Sequence, residues 1–451
     1  MVSSTRIVLV ALFLVATPAL GVIHIFTVNT TADGVDALPG DGTCATAGGL
    51  CTVRAAVMEA NHTISGVTII EIPANANPYV LTIPPSGIDD EATGDLWITR
   101  DTNIVGAGAD VSILDGNGID DVLVVFQPNT VDIEGLTIRN GDNGPFSGGG
   151  ILNTGHLTLT ACVIEGNSAA DGGGIFHNGS TLLLDRCTVS GNFASGTGGT
   201  GTGRGGGVYV NSGTATFINT TISGNTAARL GGGLIAGNDA SCTLQMCTVT
   251  GNVSDGDPGT GGGILQSSSS TISFSGTIVA DNFEVFPTLP LPKLVDGDCA
   301  GTLSSGGANI VGTTSHCSIS GAVTVAEPNL GALQANGGSV PTHAIHAPSP
   351  AIDALGLAGC HDLYSGYVDA RGAHRAEGAA CDIGAYEWNA NGDVNGDGAR
   401  DVADVFFVIN FLFAGGPAPM GLGDVNGNGA TDVADVFFLI NFLFAGGLAP
   451  L

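Results

Sequence analysis

CVIEGNSAADGGGI, Cys162–Ile175, joins two phrases that return along the middle of the chain. The first is a β-branched run closing on asparagine: LTIRN at Asn140, CVIEGN at Asn167, CTVSGN at Asn192, TISGN at Asn225, CTVTGN at Asn252 and TIVADN at Asn282. Their intervals are 27, 25, 33, 27 and 30 residues. The second is a glycine triplet followed by an aliphatic residue, at Gly148–Ile151, Gly172–Ile175, Gly205–Val208, Gly231–Leu234 and Gly261–Ile264. A phrase that holds while its period varies is what a solenoid gives when insertions fall in turns. Between the marks lie runs such as LTLTACVI and ATFINTTI, alternating and rich in Thr, Val, Ile and Leu. They read as short strands, with no helical period.

Two or three short strands per repeat make one coil of a parallel β-helix, with coils stacked at about 4.8 Å. Ile164, Val189, Ile222, Val249 and Ile278 are then expected to pile into a continuous core. The asparagines are expected to stack at one corner, where ladders of identical amides support each other. The glycine triplets allow positive φ and a tight bend at another corner. Cys162 and Cys187 each stand five residues before their asparagine, with Cys247 in the same place two coils on. Neighbours in adjacent coils form either a disulfide or a sulfur stack; small buried thiols pack well, which favours the stack.

The balance of 41 acidic against 11 basic residues, net −30, repels phosphate backbones and excludes a nucleic-acid partner. Only 12% of residues are charged and 43% are apolar, which is not the composition of a disordered acidic chain. The 73 glycines follow no G-X-Y period, so collagen is excluded. At the N-terminus Arg6, the apolar run Ile7–Ala16 and the small residues Ala19 and Gly21 read as an export signal over residues 1–21. No later apolar run is long enough to span a bilayer, so no transmembrane segment is expected after signal removal. In an exported chain ten cysteines point to disulfides, and the close pairs are Cys44 with Cys51, Cys299 with Cys317 and Cys360 with Cys381.

The GGG-[ILV] and GN spacing resembles the right-handed, single-stranded parallel β-helix of polymorphic outer-membrane-protein-like bacterial surface proteins. CTVRAAVMEAN, Cys51–Asn61, resembles the CSLREA motif near the N-terminus of secreted bacterial β-helix proteins. Val53, Ala56, Val57 and Ala60 share one helical face there, so a short helix should lid the first coil. SPAIDA (Ser349–Ala354), VDARGAHR (Val368–Arg375) and CDIGAYE (Cys381–Glu387), with Leu330–Ile345 upstream, resemble the anchor-associated C-terminal region that partners CSLREA domains. Asp353, Asp369, Arg371, Arg375 and Asp382 are read there as a salt-bridged terminal coil rather than an active site. The expected order is a cap over 22–100, the β-helix over 101–325 and C-terminal coils with a cap over 326–388.

Many parallel β-helices cut polysaccharides, and a glycosidase needs two carboxylates placed across one bond. The acids between Asn140 and Asn282 are sparse and do not repeat from coil to coil, and Arg186 and Arg204 have no evident acidic partner at coil spacing. IDD occurs at Ile88–Asp90 and Ile119–Asp121 without the NTD, GHG and RIK of polygalacturonase-like families. GTGRGG, Gly201–Gly206, lies in a turn insertion with no helix after it and is discounted as a dinucleotide motif. No catalytic residue is assigned.

The chain closes on GDVNGDGARDVADVFFVINFLFAGG, Gly392–Gly416, repeated with three changes at Gly423–Gly447. Asp393, Asn395, Asp397, Ala399, Asp401 and Asp404 take loop positions 1, 3, 5, 7, 9 and 12 of a calcium site, with Gly398 at the turn. Asp424, Asn426, Asn428, Ala430, Asp432 and Asp435 repeat the set, so two calcium ions are expected. Only an exiting helix follows each loop. Loop plus one helix, twice, from about Gly392 to Leu451, resembles a type I dockerin. The resemblance implies a small α-helical calcium-binding module that docks to a cohesin-like protein or cell-surface scaffold. Its recognition pair falls on Val402–Ala403 and Val433–Ala434, where hydroxyl residues are common in the family. The expected whole is a mainly β, secreted or cell-surface protein with a non-catalytic binding, adhesion or structural role, a carbohydrate ligand being one option. The alternative is a polysaccharide lyase or glycoside hydrolase of a cellulosome-like system.

Overall fold

The computed structural model describes the chain except residues 1–21, 87–89, 200, 257–258, 268, 287–292, 347, 357–359, 361–367, 376–379, 389–391, 396–399, 420–422, 427–429 and 448–451. The export signal therefore lies outside the described residues. Three sheets of 18, ten and six strands, here sheets A, B and C, build a solenoid. Their strands pair in parallel except for the last pair of sheet C, Phe283–Phe286 with Lys293–Asp296, and sheet C begins only at Ser168. The coil that begins at Ile151 shows the plan: Ile151–Asn153 and His156–Thr160 join sheet A, Val163–Glu165 sheet B and Ser168–Ala169 sheet C. The next coils repeat it from Ile175, Val208, Leu234 and Ile264. Each coil therefore carries four short strands, one or two more than the alternation alone indicates.

Strands pair in register, so like side chains stack. Leu159, Leu184, Phe217, Leu244 and Phe274 form one inner column. Ile164, Val189, Ile222 and Val249 form another, and its next member is Val279, not Ile278. Val279 keeps the three-residue distance to Asn282 that the earlier members keep to their asparagines. Ile278 points outward, and it is buried because the C-terminal segment covers it.

The asparagines form the expected ladder from Asn167 onward. The backbone N–H and Nδ2 of each donate to Oδ1 of the next, through Asn192, Asn225, Asn252 and Asn282, at 2.9–3.1 Å. Asn282 donates both to Asp298 Oδ1, and Thr313 N–H donates to Asp298 Oδ2 at 2.7 Å. An ionised carboxylate only accepts, which suits the last rung of a ladder whose members all donate forward. Burial lifts the Asp298 carboxyl to about 6 against those bonds. Asn140 is not a rung. Arg139 aligns with Glu165, which puts Asn140 opposite Gly166, at the left-handed corner preceding the ladder, with φ 56°. The short amide side chain tolerates that conformation better than most residues.

Glycine triplet and ladder are one device. A Cβ on the third glycine, Gly174, would sit 2.9 Å from Asn192 Nδ2 and 2.6 Å from Gly207 O. Gly207 and Gly233 face Asn225 and Asn252 in the same way. The first glycine supplies the positive φ, 61° at Gly172. Cys162, Cys187 and Cys247 are free, buried thiols, as the stack requires. Thr220 and Thr277 hold the equivalent corner in the coils between and after, and their hydroxyls accept from the Cys187 and Cys247 amides at 3.4 and 3.3 Å.

Helix α1, Val53–His62, closes the first coil, with Thr52 Oγ1 capping Ala55 N–H at 3.0 Å. Val53, Ala56, Val57 and Ala60 enter the main core. Arg54, fully buried, is neutralised by Asp33 at 2.9 Å and donates to the carbonyls of Gly94 and Asp95. All three expected disulfides are formed: Cys44–Cys51, Cys299–Cys317 and Cys360–Cys381. A bond of this kind contributes roughly 2–4 kcal/mol, mainly by restricting the unfolded chain.

The segment after Pro328 does not add a terminal coil. It turns back as a strap along the outer face of sheet B. Thr188 Oγ1 donates to Pro341 O at 2.7 Å, Ser223 Oγ meets His343 Nε2 at 2.8 Å, and Ala385 N–H donates to Thr248 Oγ1 at 3.0 Å. The reason is apolar surface. Met246, Ile278 and Ile310 face outward and are covered by Ile345, Leu355, Ile383 and Tyr386. Beneath the strap Arg371 pairs with Asp369 at 2.7 Å and stacks on Tyr386 at 3.8 Å, while Arg375 pairs with Glu387 at 3.1 Å and reaches Asn219. Asp382 accepts from Asp353 N–H, and its burial beside Glu387 raises it to about 7. These charged residues brace the strap internally, and Arg375 ties it to the solenoid through Asn219.

Replacing Asn225 by Ala removes the acceptor of two Asn192 N–H bonds and the Nδ2 donor shared by Val189 O and Asn252 Oδ1, all buried; chemical denaturation is expected to show a loss of roughly 3 kcal/mol or more. Thr243→Ala, on the outer face, should stay within about 0.5 kcal/mol. His177 lies in the core and bonds Asn153 at 2.9 Å; burial first, then His156, lowers it to about 4. The folded state then binds fewer protons than the unfolded, so its contribution is intact above about 6.5 and fades as pH falls toward 4. Urea titrations of the wild type should show that loss between those pH values, and His177→Gln should flatten it.

Candidate functional site

The two C-terminal repeats each give a loop and one helix. Helix α2, Val402–Ala414, follows the first loop, and α3, Val433–Ala445, the second. Asp401 and Asp432 cap them: each side chain accepts from the amide two residues on at 2.7 Å, while Asp404 and Asp435 reach back to the capping residue's N–H at 2.8 Å. This reciprocal capping box fixes where each helix starts. Gly415 and Gly446, at φ 67° and 68°, end them in the left-handed conformation. Val394, Val405 and Val408 from one repeat meet Val425, Val436 and Leu439 from the other in a small separate core. Two copies bury what neither could bury alone.

Of the expected metal ligands, Asp393, Asn395, Asp401, Asp404, Asp424, Asn426, Ala430, Asp432 and Asp435 are described; Asp397, Ala399 and Asn428 lie outside the described residues. Asp404, fully buried, draws its loop closed by accepting from Val394 and Asn395 amides at 2.7 and 3.1 Å. Asn426 N–H does the same to Asp435 at 3.1 Å. Burial, opposed by three amide bonds and aided by neighbouring Asp393, raises the Asp404 carboxyl to about 6. A buried carboxylate beside a second one fits a bound cation, whose charge would favour the ionised form of Asp404. The oxygen-only donor set is that of a hard cation.

Val402 and Val433 stand 46% and 49% exposed at the helix starts, with Ala403 and Ala434 beside them. Phe406, Phe413, Phe437 and Phe444 are each at least 64% exposed along the same helices. That much aromatic surface in water marks an interaction face.

On the solenoid one outward column of sheet A carries hydroxyls, Thr158, Thr216, Thr243 and Ser273, broken by Leu183. The outward column of the shorter strands is apolar, with Leu152, Phe176, Tyr209, Ile235 and Leu265. One arginine corrects the sequence reading. Arg204 has an acidic partner one coil back, Asp171, at 2.8 Å, whereas Arg186 contacts its chain neighbour Asp185 at 3.4 Å, which is not a partner at coil spacing. The 33-residue interval between Asp171 and Arg204 contains the longest insertion, which hides the coil spacing in the sequence. Among the described residues, one group of three acids comes within 4.8 Å: Asp95, Asp120 and Asp121. Burial and its two neighbours push the Asp121 carboxyl well up. Sequence inspection found the IDD at Asp121 but not Asp95, which only the stacking of coils brings near.

No helix among the described residues is long and apolar enough to cross a membrane. No curated protein and no solved structure matches this chain. One family model does: residues 391–444 match the Dockerin type I domain, which binds calcium, implies a cohesin partner and occurs in extracellular, cell-surface proteins.

Proposed function

We propose that the protein is an exported β-helix displayed on a surface or scaffold through its dockerin module, with a binding, adhesive or architectural role and no catalysis. The module match at 391–444 carries this reading. Each loop of the module binds one calcium ion, through Asp393, Asn395, Asp397, Ala399, Asp401 and Asp404 in the first and Asp424, Asn426, Asn428, Ala430, Asp432 and Asp435 in the second. Val402, Ala403, Val433 and Ala434 contact the cohesin-like partner. Their apolar character in place of hydroxyls makes that contact one of shape and burial rather than hydrogen bonding.

A panel of polysaccharides tests the role: retention without product release is expected, and release of oligosaccharides would replace this reading with that of a depolymerase. Chelation tests the attachment. With EDTA, α2 and α3 should lose helicity by circular dichroism while the solenoid's β signal persists; a single transition for the whole chain would contradict separable units. Calorimetry should find two sites, the first tighter because Asp397 is replaced by neutral Asn428 in the second. Asp397→Asn should weaken the first and Asn428→Asp should strengthen the second, and equal affinities in both would refute the charge argument.

A further inference from the structure

We infer that the corner between sheets B and C is a binding trough for an extended, uncharged polysaccharide chain. This deepens the binding role proposed above and rests on it. Two adjoining hollows of about 470 and 500 Å³ meet at Asn140 and Gly166 and form one channel along the solenoid axis. One wall is a single column of outward side chains in register across five coils: Asp115, Arg139, Glu165, Ser190 and Ser223. The strap closes this side at Leu333.

The floor has no side chains. Gly166, Gly191 and Gly224 turn the corner at φ 62°, 63° and 64°, and a Cβ on Gly191 or Gly224 would meet nothing within 4 Å. Their amides are spent on the next coil, donating to Ser190, Ser223 and Thr250 carbonyls at 3.2 Å. A peptide therefore cannot add as a strand here, because strand addition needs unpaired backbone groups. What the floor offers is a smooth CαH₂ surface; what the wall offers is the Arg139 guanidinium and the Glu165 carboxylate at a step of about 4.8 Å, since Ser190 and Ser223 are buried and Ser223 Oγ is bonded to His343. A chain of sugar rings has the matching chemistry, with C–H faces for the floor and hydroxyls for the wall.

Phe193 completes the match. It is 41% exposed on sheet C and is the register neighbour of Ser168, which lines the trough, so its ring is placed to stack on a sugar face. Charge decides between glycans. Arg139 is neutralised by Asp115 at 2.9 Å, Glu165 and Asp142 add negative charge, and the whole chain carries −30. A polyuronate is repelled, and a neutral glycan is not.

The test uses the full chain in affinity gel electrophoresis with a mixed-linkage β-glucan, xylan, polygalacturonate and chitosan. Retardation by a neutral glucan or xylan, and none by polygalacturonate, is expected. Phe193→Ala and Glu165→Ala should each weaken it about five- to tenfold with the thermal midpoint unchanged. The sheet A variants Thr216→Ala and Thr243→Ala should leave it as it was. No retardation by either neutral glycan, preference for chitosan or polygalacturonate, or loss in the sheet A variants alone would overturn the assignment. EDTA separates the two claims. Glycan retention should survive it while capture by immobilised cohesin is lost, and absence of cohesin capture with glycan retention intact would refute the attachment and leave the trough standing.

Discussion

Everything in the solenoid depends on a steric allowance. The third glycine of each triplet leaves, within 3 Å of where a Cβ would stand, the amide of an asparagine and the carbonyl of the next coil. Any side chain there would push the asparagine out of its column. The column carries the buried polar groups of the turn, and each unsatisfied group in such a place costs on the order of 1–3 kcal/mol. Glycine and asparagine are thus selected together, and the stacked aliphatic core gains its register from them.

A solenoid built this way has two vulnerable ends and exposed faces, and the chain treats each differently. At the N-terminal end α1 covers the apolar core, with a buried Arg54 whose charge is met by Asp33 and by backbone carbonyls. On the outer face of sheet B the strap covers Met246, Ile278 and Ile310. Breaking either of its buried ion pairs would leave an uncompensated charge, which costs far more than an exposed pair could contribute. The sheet A face carries a column of hydroxyls beside an apolar one. The C-terminal helices leave their phenylalanines in water, which is tolerable for a surface that is covered on docking.

The repeating parts of this structure were legible because they repeat. The GN and GGG phrases defined coils, core columns and ladder, and the doubled acidic loop defined a module whose capping boxes and paired core follow from its two copies. Errors came where a repeat was imperfect or locally ambiguous. LTIRN is one residue short before its asparagine, which puts Asn140 one register position off the ladder. In TIVADN the spacing is intact, and two adjacent β-branched residues, Ile278 and Val279, do not show locally which one points inward. The partnership of Arg204 with Asp171 was hidden by an insertion. The strap was misread as a further coil because its burial is decided by outward residues of distant coils, such as Ile278, that local periodicity assigns to the interior. The IDD at Asp121 was visible, whereas its neighbour Asp95 became one only through stacking.

The ladder also has a direction. From Asn192 to Asn282 each asparagine gives two N–H groups toward the C-terminus and takes two from the N-terminal side, so such a coil is an adaptor with matching input and output. Asn167, the first rung, takes one, from Gly141. Within the ladder, one such coil presents the same hydrogen-bonding face as the next. Asp298 breaks the rule, since its carboxylate receives but has nothing to hand on. It acts as a stop codon written in hydrogen bonds: the solenoid can lengthen upstream of it, and cannot be continued past it by the same grammar.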